Sequence, residues 1–240
     1  MRDYSAKHAR AWIEEVKNRM SEDTKNSILG TKIYDSLVPS STCSLTQTTL
    51  LPMDTVSALF EEDWPGKVCI LNFASYNNPG GGFLKGMTTQ EEALCHESNL
   101  YLILLAFKGS YYAWNRQHNN HSLYLDRALY SPDVIFERDG KQKRADVLTC
   151  AAPNWDNAKI YGNVSEEDNR EVVFDRLAFM SSILADNDVT TFICGAWGCG
   201  VFGQDPKMMA NAMIDSMLTP RVVWAIPRGY NYDMFKEASR

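Results

Sequence analysis

The chain lacks several features that would place it at a glance. No uncharged apolar run approaches the roughly 18 residues of a membrane span, so no membrane contact is expected. The six cysteines, Cys43, Cys69, Cys95, Cys150, Cys194 and Cys199, contain no CxxC pair. Three of them lie in apolar, strand-like runs, which predicts reduced thiols in a cytosolic protein rather than a disulfide scaffold. His118 and His121 form the one close histidine pair, with no cysteine or carboxylate ligand at a recognised spacing. They read as a polar loop, and no metal is expected. A net charge of −6 without a dense Lys/Arg cluster excludes a general nucleic-acid binder. Internal repeats, low-complexity tracts and strong linkers are missing too. The first twenty residues carry acids among their apolar positions, so no secretory leader is expected. A cytoplasmic location is predicted, or a nuclear one in a eukaryotic cell.

What is present centres on residues 67–107. A buried-looking run, Val68–Ala74, leads into the polar turn Ser75-Tyr76-Asn77-Asn78-Pro79 and then into Gly80-Gly81-Gly82. Seven residues later, Gln90-Glu91-Glu92 opens a helical pattern that extends to Phe107. Glycines let backbone approach a ligand closely, and the free N–H groups of such turns and helix starts suit phosphates. Each part also has a plainer reading. A glycine triplet can be only a flexible loop, and Thr88-x-x-Glu91 and Thr89-x-x-Glu92 both fit the capping box. The three features together, at this spacing, favour a site.

Along the chain, residues 3–20 show helical periodicity through Ala9, Trp12, Ile13, Val16 and Met20. A second short helix ends at Gly30. Thr31–Ser36 reads as extended, Pro39–Thr42 as a loop and Thr46–Leu51 as a strand. Asp54 sits where the N-cap of a helix over Thr55–Glu62 belongs. After the Gln90–Phe107 helix, residues 108–127 are polar and aromatic with little periodicity. A hairpin is predicted around Asp139-Gly140, its second arm continuing as a buried strand, Asp146–Ala152. Glu166–Asp186 is a strong helix and Thr190–Gly195 a strand. A second glycine-rich loop, Gly195–Gly203, precedes a helix opened by Asp205-Pro206. Arg221–Ile226 is the last strand and Asn231–Ser239 the last helix. Strands alternating with helices predict an α/β fold with a mixed, largely parallel sheet between helical layers. Both glycine loops follow strands directly, so they should line one crevice at the carboxyl edge of the sheet.

Gly80-Gly81-Gly82, seven residues, then Gln90-Glu91-Glu92 resembles the signature of the poly(ADP-ribose) glycohydrolases, a branch of the macrodomain fold. Asn72-Phe-Ala-Ser75, Asn78-Pro79, Ala151-Ala152-Pro153-Asn154 and Gly195–Phe202 resemble the bacterial-type members. The resemblance implies a macrodomain-like catalytic domain over 46–240, with residues 1–45 as a helical extension packed on it. It implies that Glu92 is the catalytic acid and that the neighbouring Glu91 holds ribose hydroxyls. It assigns substrate contacts to Asn72, Gln90 and the turn Gly80, Gly81 and Gly82. Gly198, Cys199, Gly200, Val201 and Phe202 would form the diphosphate loop, with Phe202 against the ribose. The larger animal enzymes have Asp-Phe-Ala-Asn where this chain has Asn72-Phe-Ala-Ser75: Asn72 can still orient a ligand or a loop, and Ser75 is a shorter side chain at a position that shares the ribose contacts. No cofactor is implied, and the partner is ADP-ribose or its polymer on modified proteins.

The implied reaction cleaves the glycosidic bond between ADP-ribose units through an oxocarbenium-like transition state. Its leaving hydroxyl needs a proton, which the helix start disfavours on Glu92, whereas desolvation and a like-charged neighbour favour it. Two other readings share the fold: a macrodomain that binds ADP-ribose without cutting it, and a hydrolase that removes single ADP-ribose units from an acceptor. A generic nucleotide-binding domain is disfavoured, because Gly82-Phe-Leu-Lys85 is no Walker loop and no GxGxxG follows the first strand.

Overall fold

The computed structural model describes residues 4–39, 46–217 and 219–239. The loop predicted at Pro39–Thr42 lies, apart from Pro39, outside them. Among the described residues one seven-stranded sheet organises the chain, in the order β1-β4-β5-β3-β6-β7-β2. Its strands are β1 (Lys32–Tyr34), β2 (Gln47–Leu51), β3 (Val68–Phe73), β4 (Ala128–Arg138), β5 (Lys141–Cys150), β6 (Thr191–Cys194) and β7 (Arg221–Ala225). The run β5-β3-β6-β7-β2 is parallel throughout, and β4 and β1 extend it antiparallel on one side. Five strands therefore end at the same edge.

Successive strand residues face opposite sides, and here both sides are apolar. Ile70, Ile193 and Val223 belong to one core, while Cys69, Leu71, Phe192, Cys194, Val222 and Trp224 belong to the other. On the first face lie α1 (Ala6–Arg19), α3 (Thr55–Glu61), α4 (Gln90–His96) and α5 (Leu100–Ala106), through Trp12, Val16, Leu59, Leu94 and Ile103. On the second lie α8 (Glu166–Asp186), α9 (Pro206–Ser216) and α10 (Tyr230–Ala238), through Leu177, Met180, Met209, Met213 and Phe235. The methionine stripe of α9 is core filling. Between α1 and β1, α2 (Ser21–Gly30) rests on β4, where Ser27 Oγ donates to Asp133 O. Trp12 Nε1 donates to Ser98 O at 2.8 Å, which ties α1 to the segment before α5. Among the described residues no helix is long and apolar enough to cross a membrane.

Local signals account for most boundaries. Asp54 caps α3 by accepting from Ser57 N, Asp205 caps α9 by accepting from Met208 N, and Ser165 with Asp168 closes a capping box on α8. Asp139 and Gly140 both take positive φ, as a two-residue hairpin turn demands. One predicted element divides. The helix expected over Gln90–Phe107 breaks at Glu97–Asn99, because those residues serve β4 instead. Glu97 O accepts from Glu137 N, and Asn99 Oδ1 accepts from Ile135 N. The stretch from 108 to 127 holds a π-helical turn, Lys108–Tyr112, then α6 (Ala113–Gln117) and a short 3-10 turn. A further helix, α7 (Trp155–Tyr161), was not predicted from the sequence; Asn154 caps it.

Candidate active site

The helix α4 starts immediately above the end of β3, and Gln90 fastens the two together. Its side-chain Nε2 donates to Leu71 O at 2.8 Å, and its Oε1 accepts from Phe73 N at 2.8 Å. The amide thus acts as one more strand residue at the end of β3. This clamp aims the next two side chains back over the sheet edge. Glu91 and Glu92 are only 2% and 3% exposed, a rare degree of burial for carboxylates.

Neither carboxylate closes a capping box. Glu91 Oε2 accepts from Ser75 N at 2.7 Å, and Glu91 Oε1 accepts from Asn72 Nδ2 at 3.2 Å. Glu92 Oε1 accepts from Gly82 N at 2.7 Å, and Glu92 Oε2 from the Thr89 hydroxyl. Backbone amides of the glycine turn and of the turn before it hold both acids. Gly81 explains why the turn is built of glycine. It sits at φ +54°, and a methyl group there would stand 2.5 Å from Glu92 Oε1 and 3.0 Å from Glu91 Oε2. Burial pushes the Glu91 carboxyl up to about 8, against the pull of its hydrogen bonds from Ser75 and Asn72, and the Glu92 charge adds to the rise.

Both acids line a cavity of about 880 Å³ at the carboxyl edge of the sheet. That is room for a ligand at the large end of the small-molecule range. One wall is the first glycine turn with Gln90, Glu91 and Glu92. Facing it is the second glycine loop, through Gly198, Gly200, Val201 and Phe202. Trp197 Nε1 donates to Cys150 O, and Gln204 Nε2 donates to Pro153 O, so that loop is pinned to the end of β5. Lys85 and Arg228 are the cations among the lining residues. Among the described residues no cluster of three His, Cys, Asp or Glu side chains is placed to hold a metal ion.

The sequence profile "Microbial-type PARG, catalytic domain" matches residues 6–139, more than half of the chain and all of the first wall. The chain belongs to the microbial-type PARG family. Solved relatives extend the likeness over the remainder. The poly(ADP-ribose) glycohydrolase of Thermomonospora curvata is 26% identical, with a TM-score of 0.85 over 97% of this chain and 98% of that one. The same enzyme bound to the inhibitor ADP-HPD gives a TM-score of 0.83 at 26% identity and the same coverage. The Deinococcus radiodurans poly(ADP-ribose) glycohydrolase in complex with ADP-ribose is 26% identical, with a TM-score of 0.78 over 90% of this chain and 96% of that one. A comparison with curated proteins returns no match.

Of the residues singled out in this PARG-family chain, three stand off the cavity wall. Asn72 is fully buried on β3 beneath Glu91, which it orients. Gly80, the first residue of the glycine turn, is off the wall, and its N–H favours the Glu91 carboxylate. Cys199 turns its thiol toward Trp197 O at 3.6 Å, and burial pushes that thiol up to about 12. Ser75 serves through its backbone, while its hydroxyl accepts from Asn78 N to close the turn. Asp54 is a helix cap that also reaches the wall. Burial works to raise its carboxyl, but Ser57 and Arg138 more than offset that and hold it below its ordinary value. Sequence reasoning passed over Tyr76, Tyr124 and the segment Ile226–Asn231, all of which line the cavity. The last was findable, since it follows a parallel strand at the ligand edge.

Proposed function

We propose that the chain hydrolyses the ribose–ribose glycosidic bond of poly(ADP-ribose), releasing ADP-ribose, with Glu92 as general acid. The observation that carries this reading is the pair of buried carboxylates on the wall of a cavity large enough for a dinucleotide-sized ligand. A domain that only binds ADP-ribose has no need of two desolvated acids there.

Burial raises the Glu91 carboxyl to about 8, so Glu91 keeps its proton at neutral pH. In the proposed reaction the bond between the ribose anomeric carbon and the leaving oxygen breaks, and Glu92 protonates that oxygen. The ribose passes through an oxocarbenium-like state. A water then adds to the anomeric carbon, and its proton returns to the Glu92 carboxylate. Glu91, held by Asn72 and Ser75, grips the ribose hydroxyls. The N–H groups of Gly200, Val201 and Phe202 on the cavity wall suit the diphosphate, which fits a cavity with few cations. Removal of single ADP-ribose units from an acceptor uses the same acid and is the second reading. Incubating the protein separately with poly(ADP-ribose) and with a mono-ADP-ribosylated protein, then measuring free ADP-ribose, tests both. Release from the polymer supports the proposal, and release only from the mono-modified target replaces it.

A further inference from the structure

A second built feature borders this cavity and lies outside the glycine and glutamate motifs. Ala74, Tyr76, Tyr124 and Ala151 form a small hydrophobic cluster of their own, separate from the two cores, with Phe202 packed against it. Tyr124 stacks on Tyr76 with ring centroids 4.1 Å apart and meets Phe202 edge-on at 6.2 Å. All three rings line the cavity.

The backbone that delivers Tyr124 is costly. Asn120, His121, Ser122 and Tyr124 all have positive φ, at 48°, 53°, 70° and 64°. Each such residue other than glycine is strained, and the conformation persists only where the surroundings impose it. They do so here from several directions. Asn119 Oδ1 accepts from Ser122 N, and Asn120 Nδ2 donates to Tyr124 O. The Tyr76 hydroxyl donates to His118 O and accepts from Leu125 N. Arg176, on α8 and 1% exposed, donates to Ala151 O and Leu123 O and pairs with Asp126. A buried guanidinium and four left-handed residues are thus spent on holding one loop against the site.

Resting on the function proposed above, we infer that Tyr124 is a substrate-contacting positioning residue: its ring is the end wall against which the ribose being cleaved is set in register with Glu92. The cavity has two ends. Val56 and Ile226–Asn231 line one, beyond β2 and β7, while Tyr76, Tyr124 and Ala152 line the other, beyond β3 and β5, where Ser75 N, next to Tyr76, holds Glu91. A linear ligand whose diphosphate lies along the loop after β6 places its sugar at the aromatic end. The stack on Tyr76 and the clamp by Arg176 leave that wall no slack, so it fixes the position of the sugar.

Asparagine tolerates left-handed backbone, so Tyr124→Asn removes the ring and keeps the loop. Its kcat on poly(ADP-ribose) should fall about 30- to 100-fold, the scale of a displacement near 1 Å at the reacting centre. KM and ADP-ribose affinity should stay within roughly five-fold. Tyr124→Phe keeps the wall and should retain kcat within about three-fold. A folded Tyr124→Asn protein that loses less than about ten-fold in kcat overturns the inference. So does a Phe variant as impaired as the Asn one, or a kcat loss matched by ADP-ribose affinity. Fluorotyrosine placed at 124 in the otherwise unaltered protein is a check that needs no destabilising change: its fluorine resonance should shift on adding ADP-ribose, and an unmoved resonance overturns the inference. Wild-type protein that releases no ADP-ribose from polymer defeats the proposed function itself, separately from these outcomes.

Discussion

The two glycine-rich loops resemble each other in sequence and differ in what their glycines are for. In the first, Gly80 and Gly81 are demanded from inside at positive φ, and Gly82 leaves room for the half-exposed Met87. A methyl group would meet Tyr101 at Gly80, the two carboxylates at Gly81 and Met87 at Gly82, each within 3 Å. In the second, Gly198 and Gly203 shape turns against Gln204 and Asp156, but a methyl group at Gly200 meets no atom within 4 Å. Gly200 is exposed on the cavity wall, and Val201 beside it is 76% exposed. The first loop is shaped around two buried carboxylates, whereas the second leaves open space at Gly200. Glycine richness alone therefore does not say whether a loop works on the protein or on its substrate.

The largest effect should come from what the first loop holds. Glu92→Gln removes the proposed proton donor, and kcat for ADP-ribose release should fall by about 100- to 10,000-fold. ADP-ribose affinity, measured by calorimetry, should stay within several-fold. Retained turnover would take Glu92 out of the role.

Gly81→Ala attacks the same group through the turn. The alanine is strained at positive φ and pushes on both carboxylates, so kcat should drop about 100-fold. The melting temperature should fall as well. An active, stable Gly81→Ala protein would show that the turn adapts and would break the comparison.

A subtler effect concerns pH. Glu91 has its folded value raised to about 8 by burial, whereas the unfolded chain titrates near the ordinary 4.5. Between those values the folded state binds more protons than the unfolded one. Its contribution to stability is full below the unfolded value and is lost as pH rises through about 8. Thermal melts should therefore weaken from pH 5 to pH 9, and Glu91→Gln should flatten that decline. A wild-type melting curve that rises over this interval would contradict the assignment.

The smallest effect on folding, and the sharpest contrast, is expected at Gly200. Gly200→Ala should leave the melting temperature within about 1 °C, because its methyl group touches nothing in the protein. ADP-ribose should bind roughly ten-fold more weakly, as the added group occupies ligand space. Loss of stability on the scale of Gly81→Ala would erase the distinction between the loops.

Local chemistry in the sequence determined a great deal about this protein. Continuous apolar runs marked the central strands, Asp54 and Asp205 marked helix starts, and Asp139-Gly140 marked the hairpin, because each depends on neighbours within a turn or two. The spacing of Gly80–Gly82 from Glu91 and Glu92 was legible for the same reason. Partners distant in the chain were not. Gln90 reads as a helix residue, yet only the fold shows its amide completing β3 through Leu71 and Phe73. The break at Glu97–Asn99 answers to β4, some forty residues away. Asn72 reads as a ligand contact and is instead a buried support for Glu91. Tyr124 lies in a stretch without periodicity, and its place depends on Arg176 and Tyr76 reaching it from elsewhere. Periodicity and capping report energies local in sequence, whereas burial of a charge, stacking of two rings and the walls of a cavity exist only once distant segments have met.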